Sequence, residues 1–140
     1  MQVWNPHLIK DIKCLEKVQQ FGLRICLKNY HVSYESLLDF FKIPSLQNRR
    51  LFLSLCLFYS IVNNVVTFPR DSVFPSAMPH SQSRYYNPNA YVLPPFHCNA
   101  LKFSFFYNVV SIWNNLPTQA VTSDTLPLFK KCISPLFLWP

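Results

Sequence analysis

Between Leu51 and Val62 only Ser54 and Ser60 are polar. At 3.6 residues per turn the apolar side chains of this run reach every side of a helical cylinder, so it needs cover all round, from a helical core or from lipid. Pro44-Ser45 marks the start, because the Ser45 side-chain oxygen can accept an orphan backbone N–H of the first turn. Asn63-Asn64, the β-branched residues after them and Pro69 mark the end. Such a helix is about 28 Å long. A bilayer needs about 20 consecutive apolar residues, and a run of about 10 to 14 is the length of a core helix. Extension to Val66 would leave Asn63 and Asn64 in hydrocarbon without partners. The pattern favours a central core helix; residues 51–66 as a membrane-buried segment are the alternative.

Two helices precede it. Asn5 as cap and Pro6 at the first helical position predict a helix running to about Lys28. Its apolar side carries Leu8, Ile12, Leu15, Leu23 and Cys26, with Gly22 toward that side, where it would let another helix approach closely. Ser33 caps a shorter helix with Tyr34, Leu37, Leu38 and Phe41 as its buried stripe and Pro44 as its stop. Short connections make residues 5–64 a three-helix unit.

From 65 to 102 the period collapses, and six of the twelve prolines fall there among Ser, Asn and His. Arg84 with Tyr85, Tyr86 and Tyr91 has the make-up of a base-stacking segment. The same tyrosines could simply pin the loop to the helices, which is the reading preferred. Helical order returns at about Phe103, with Phe105, Val109, Ile112, Trp113 and Leu116 on one face and Asn108, Ser111, Asn114 and Asn115 on the other; Pro117 closes it. A last helix is expected from a Ser123 cap to Pro135, with Leu126, Phe129 and Ile133 inward. The expectation is an all-α chain of about five helices in a small bundle with a long Pro-rich irregular insertion. Residues 1–64 form the first unit, 65–102 the insertion, and 103–140 a helical pair completing the same domain.

Composition then narrows the function. Half of the 140 residues are hydrophobic and only 14% are charged, against about 25% in a typical soluble domain, which suggests surface that something else covers. The only glycine is Gly22, so phosphate-cradling loops and dinucleotide fingerprints are excluded. A net charge of +7 favours polyanionic partners, nucleic acid before an anionic membrane. Cys14, Cys26, Cys56, Cys98 and Cys132 are odd in number and form no Cys-x-x-Cys pair. They read as buried reduced thiols, hence an intracellular chain, in nucleus or cytoplasm, with no signal or transit peptide at its start.

The first helix carries the one candidate binding surface. Lys10, Lys13, Lys17, Arg24 and Lys28 fall within an arc of about 60° opposite the apolar side, five cations along about 27 Å. That matches the scale of a phosphate backbone, each neutralised phosphate contributing through counterion release. Catalytic chemistry has no comparable support. Asp11, Glu16, Glu35, Asp39, Asp71 and Asp124 include no neighbouring pair of the kind that holds two metals. His7, His31, His80 and His97 are dispersed, His97-Cys98 lacks two further ligands at zinc spacing, and no serine sits in a glycine-flanked elbow. No catalytic residue, metal site or cofactor is assigned.

Three phrases carry a resemblance. Val3-Trp4-Asn5-Pro6-His7 leading into Leu15-Glu16-Lys17-Val18-Gln19 resembles the segment after the polymerase core in reverse transcriptases of non-LTR (LINE-type) retrotransposons of the jockey and chicken-repeat lineages. Ser33-Tyr34, Leu46 through Asn48-Arg49-Arg50-Leu51, and Leu57-Phe58-Tyr59-Ser60-Ile61 are similar to the next block of those proteins. Phe105-Phe106, Trp113-Asn114-Asn115-Leu116-Pro117 and Leu126 to Phe129-Lys130 resemble their closing block. Order and spacing agree over nearly the whole chain, with one departure at Asn108, where relatives often carry a basic residue.

The resemblance implies the thumb-like and post-thumb end of such an enzyme, helping to hold template and primer while a palm, with its paired aspartates, does the chemistry. Palm and endonuclease are not in these 140 residues, and the chain opens in the middle of a motif, as a fragment would. The expectation is a catalytically inert remnant that binds RNA or DNA without sequence preference, or docks on the missing palm. A small membrane-associated or partner-binding helical protein using residues 51–66 is the rival, and a product without a cellular role, exposing apolar surface, is the third reading.

Overall fold

Ser45 caps the long apolar helix as the sequence requires: its Oγ accepts the Asn48 N–H at 3.1 Å. The computed structural model describes residues 5–68, 90, 91, 93, 95 and 97–138. Among them are seven helices and no strand: α1 (Ile9–Leu27), α2 (Tyr34–Phe41), α3 (Leu46–Val62), α4 (Asn99–Lys102), α5 (Phe105–Trp113), α6 (Thr118–Val121) and α7 (Leu126–Phe137). The chain is an all-α bundle. α4 and α6 are single turns added to the five helices that the hydrophobic period predicts, too short to leave a period of their own.

The core is α3 wrapped by its C-terminal neighbours. Phe52, Leu55, Cys56, Phe58 and Tyr59 of α3 are buried against Val109, Val110 and Trp113 of α5, Leu116, Ala120 of α6, and Phe129 and Ile133 of α7. The aromatic rings interlock, Phe58 meeting Trp113 edge-on at 5.0 Å between centroids and Tyr59 stacking on Phe129 at 4.5 Å. Two buried hydroxyls of α3 are satisfied inside the core: the Tyr59 hydroxyl donates to the Ser123 carbonyl at 2.6 Å, and Ser60 Oγ donates to the Cys56 carbonyl at 2.9 Å. Burial pushes the Tyr59 hydroxyl and the Cys56 thiol above their ordinary pKa values. α1 and α2 form an outer layer, contributing only Leu23 and Leu37 as buried side chains.

α3 is therefore covered by protein on nearly every side, and among the described residues no helix is long and apolar enough to cross a membrane. It stops at Val62, with Asn63 as C-cap and its amide donating to the Tyr59 carbonyl at 3.0 Å, so no continuous segment reaches Val66.

Several boundaries differ from expectation. α1 starts at Ile9 with Leu8 as cap and no side-chain cap bond, because His7 stacks on Phe103 at 4.2 Å and the Asn5-Pro6 stretch lies outside the helix. Ser123 does not cap α7. Its carbonyl is taken by Tyr59 and its Oγ donates to Gln119 at 3.1 Å, closing α6 instead, and α7 begins after Thr125. Pro135 does not break α7, which continues to Phe137; in the last turn the missing N–H removes only one bond, and the proline φ is already helical. Of the five thiols, Cys56 alone is buried, Cys132 is half-buried, and Cys14, Cys26 and Cys98 are exposed, since α1 packs through a narrow strip that leaves its flanks in solvent. Gly22 has no atom within 4 Å of the position its Cβ would take, so no helix makes a close approach there.

Trp113→Ala should destabilise the chain by about 3–5 kcal/mol, whereas Phe21→Ala, at an exposed position, should stay within about 0.5 kcal/mol of wild type. Urea unfolding of both variants checks this; equal losses would contradict the core as described.

Candidate nucleic-acid interface

What fixes the orientation of α1 is one carboxylate. Glu16 points inward and accepts the backbone N–H groups of Leu46 at 3.2 Å and Gln47 at 2.7 Å. These are the first two residues of α3, whose N–H groups have no partner within their own helix, and the positive end of the helix dipole favours an anion there. The Tyr34 hydroxyl of α2 donates to the same carboxylate, and the Arg50 guanidinium of α3 stands 3.9 Å from it, both ionic side chains being largely buried. One turn along α1, the Gln19 amide donates to the Pro44 carbonyl at 3.2 Å. With Ser45 holding the Asn48 N–H and the Ser45 carbonyl accepting the Arg49 N–H at 3.0 Å, the opening turn of α3 is fully satisfied, partly by α1. Glu16, Tyr34 and Arg50 thus join the three N-terminal helices in one polar knot. Burial, and then the hydrogen bond to the Glu16 carboxylate, push the Tyr34 phenol well above its ordinary value.

With that strip facing in, the basic arc faces out. Lys10, Lys13, Lys17 and Lys28 are exposed. None of the four makes an ion pair among the described residues, where the pairs are Lys42–Asp39 and Arg50–Glu16. Lys28 ends α1 in the left-handed region at φ 54°, its N–H satisfied by the Arg24 and Ile25 carbonyls. Arg24 differs from the lysines. It is half-buried, and its Nε and Nη2 both donate to the Val32 carbonyl, at 3.3 and 2.9 Å, tying α1 to the link before α2. Its charge stays beside the arc while its fork is engaged in structure. Four exposed ammonium groups and one anchored guanidinium along one helix can neutralise phosphates along one strand.

The remaining candidates have structural work. Tyr91 packs edge-on against Phe58 at 5.5 Å, and the Asn114 amide accepts from the Tyr91 N–H at 3.0 Å and donates to its carbonyl at 2.9 Å. Tyr91 pins the returning segment to the helices, as preferred; Arg84, Tyr85 and Tyr86 lie outside the described residues. Asn115 donates back to the Ser111 carbonyl at 2.8 Å. Among the described residues no group of three or more His, Cys, Asp or Glu side chains gathers in metal-binding geometry. An open groove of about 450 Å³ lies between α2 and the end of α7, lined by Leu38, Ile43, Pro44 and Phe137 with Glu35 at its edge.

Compared with protein-family models, with curated proteins and with solved structures, the chain matches none.

The sequence pattern identified the lysine arc and missed Glu16, which falls on the helix wheel between core and surface. Its partners are 18 to 34 residues away, beyond any local period; a lone acid on the inward side of a basic helix is the only local signal.

Because the folded Tyr34 holds its proton more tightly than the ordinary value of 10.0, its contribution is complete below about pH 10 and is lost as pH rises beyond it, the unfolded chain ionising first. Tyr34→Phe should cost about 1 kcal/mol at neutral pH and weaken the alkaline fall in stability. Glu16→Ala, which strands Arg50 and two helix-end N–H groups, should cost about 2–4 kcal/mol. Urea midpoints from pH 7 to pH 11 check both.

Proposed function

We propose that this chain is the thumb and post-thumb region of a non-LTR retrotransposon reverse transcriptase, and that it binds nucleic-acid backbone through the outer face of α1. The observation that carries the binding reading is the set of exposed lysines Lys10, Lys13, Lys17 and Lys28, which make no ion pair among the described residues, on one side of a helix whose other side is locked by Glu16. The family reading rests on the quoted phrases. It is supported by where their residues lie: Glu16, Tyr34 and Arg50 come from two of the phrases and meet in the knot, while Trp113, Leu116 and Phe129 from the third lie in the core with Phe58 and Tyr59.

In this reading the chain contributes no catalytic residue of its own and acts inside the cell, in nucleus or cytoplasm, on RNA, DNA or their hybrid without sequence preference. A palm carrying the metal-binding aspartates would complete the enzyme, and the template-primer duplex would lie along α1. Lysine ammonium groups suit that task, since they are mobile point charges that follow a backbone without reading bases.

The test is the salt dependence of binding to an RNA–DNA hybrid of arbitrary sequence, followed by fluorescence anisotropy. Lys10→Gln, Lys13→Gln and Lys17→Gln together should reduce the magnitude of the slope of log K against log salt by about 3. Arg24→Gln should leave most of the slope in place and lower stability by about 1 kcal/mol through the lost Val32 contacts. A triple variant with an unchanged slope would remove α1 as the binding face.

A further inference from the structure

The outer face of α1 carries more than charge. Val18, Phe21 and Ile25 are exposed at 66%, 61% and 48%, and Cys14 beside them is exposed as well. Spacings of four, three and four residues put Cys14, Val18, Phe21 and Ile25 in one narrow seam, the alternation of d and a positions in a heptad repeat. On the same frame Lys10, Lys17 and Arg24 are three successive g positions, all cationic, and the f positions after the exposed first residue Ile9 are Glu16 and Leu23. Those f residues are the ones α1 turns into the domain, through the Glu16 bonds to α3 and the burial of Leu23. The seam therefore points directly away from the bundle. Gly22, at an e position on its other edge, meets no atom within 4 Å of where a Cβ would stand, so that edge is open to close approach by a helix backbone.

We propose that this seam docks an acidic amphipathic helix, packed side by side with α1 as in a two-stranded coiled coil. Charge decides the occupant. A partner helix places its e or g residues opposite the g positions of α1, and acidic side chains there would pair with Lys10 and Lys17, which make no ion pair among the described residues. A second copy of the chain supplies no such pairing. Antiparallel copies would set Lys10, Lys17 and Arg24 against themselves, and parallel copies would set them against the uncharged Leu15 and Gly22 at e. An anionic bilayer fits the shape less well: α1 turns the side that carries Leu23 inward, and apart from Ile9 and Cys26 near its ends leaves outside a narrow seam with cations along one flank. The proposal goes beyond phosphate binding, which uses the lysines and has no need of Val18 or Phe21. The two occupants would compete for α1.

The test uses the full chain and a designed three-heptad peptide with leucine and isoleucine at a and d and glutamate at e and g, labelled for anisotropy. Two control peptides carry lysine at e and g, or keep the glutamates with serine at a and d. The account expects the glutamate peptide to bind and both controls to fail. Val18→Ser with Phe21→Ser should lower its affinity by about tenfold or more while leaving the urea midpoint and the binding of an RNA–DNA hybrid unchanged. Lys10→Glu with Lys17→Glu should transfer preference to the lysine peptide, a readout that stands even if the serine variant fails to fold. Equal binding by the serine-seam peptide, or none by the glutamate peptide, would overturn the proposal. So would a dimer of the chain alone that V18S/F21S dissociates, or phosphatidylserine vesicles that sediment the wild type and not that variant.

Discussion

An apolar helix with no polar side has to be covered on every side, and α3 is that helix. Its burial depends on elements far along the chain: Val109, Val110 and Trp113 of α5, then Phe129 and Ile133 of α7, close over it from beyond the Pro-rich stretch. The rings of Phe58, Tyr59, Trp113 and Phe129 interlock there, each truncation leaving a void the others cannot fill. Because α3 is enclosed mainly by the C-terminal helices, α1 is left free to be a peripheral helix, attached along one strip and open along the rest.

That attachment is polar, which has two consequences. Hydrogen bonds are directional, so Glu16 sets the rotation of α1 about its axis more sharply than apolar packing would; the lysine arc and the Val18–Phe21 seam face outward because Glu16 faces inward. The knot also binds the fate of three helices to one carboxylate. Without it, Tyr34, Arg50 and the first turn of α3 would all lose a partner at once, and a largely buried guanidinium would be left without its counter-charge.

Much of this was legible in the sequence. The all-round apolar period of residues 51–62 predicted an enclosed helix, Ser33 and Ser45 predicted its own and its neighbour's start, and Phe129 and Ile133 were assigned to the core by spacing alone. Local patterns failed where the deciding contact is distant. Ser123 looks like a cap, yet Tyr59 claims its carbonyl from 64 residues away; Asn5-Pro6 looks like a helix start, yet His7 stacks on Phe103. The lysine arc was visible because charge on a helix follows the helical period. Arg24 shows the limit of that view, since a cation in the arc can be held by a backbone carbonyl that no period reveals. The seam escaped the sequence pattern because Val18, Phe21 and Ile25 fall outside both the apolar side and the basic arc on the helical wheel, and the packing shows them exposed.

The claim on which the functional account rests is that the outer face of α1 is where nucleic acid binds. Backbone amide chemical shifts of the full chain, recorded during titration with an RNA–DNA hybrid, test it residue by residue. The account predicts shifts along α1 centred on Lys10, Lys13, Lys17 and Lys28, with α5 and α7 silent. Shifts confined to α5 through α7, or none at saturating hybrid and low salt, would contradict it.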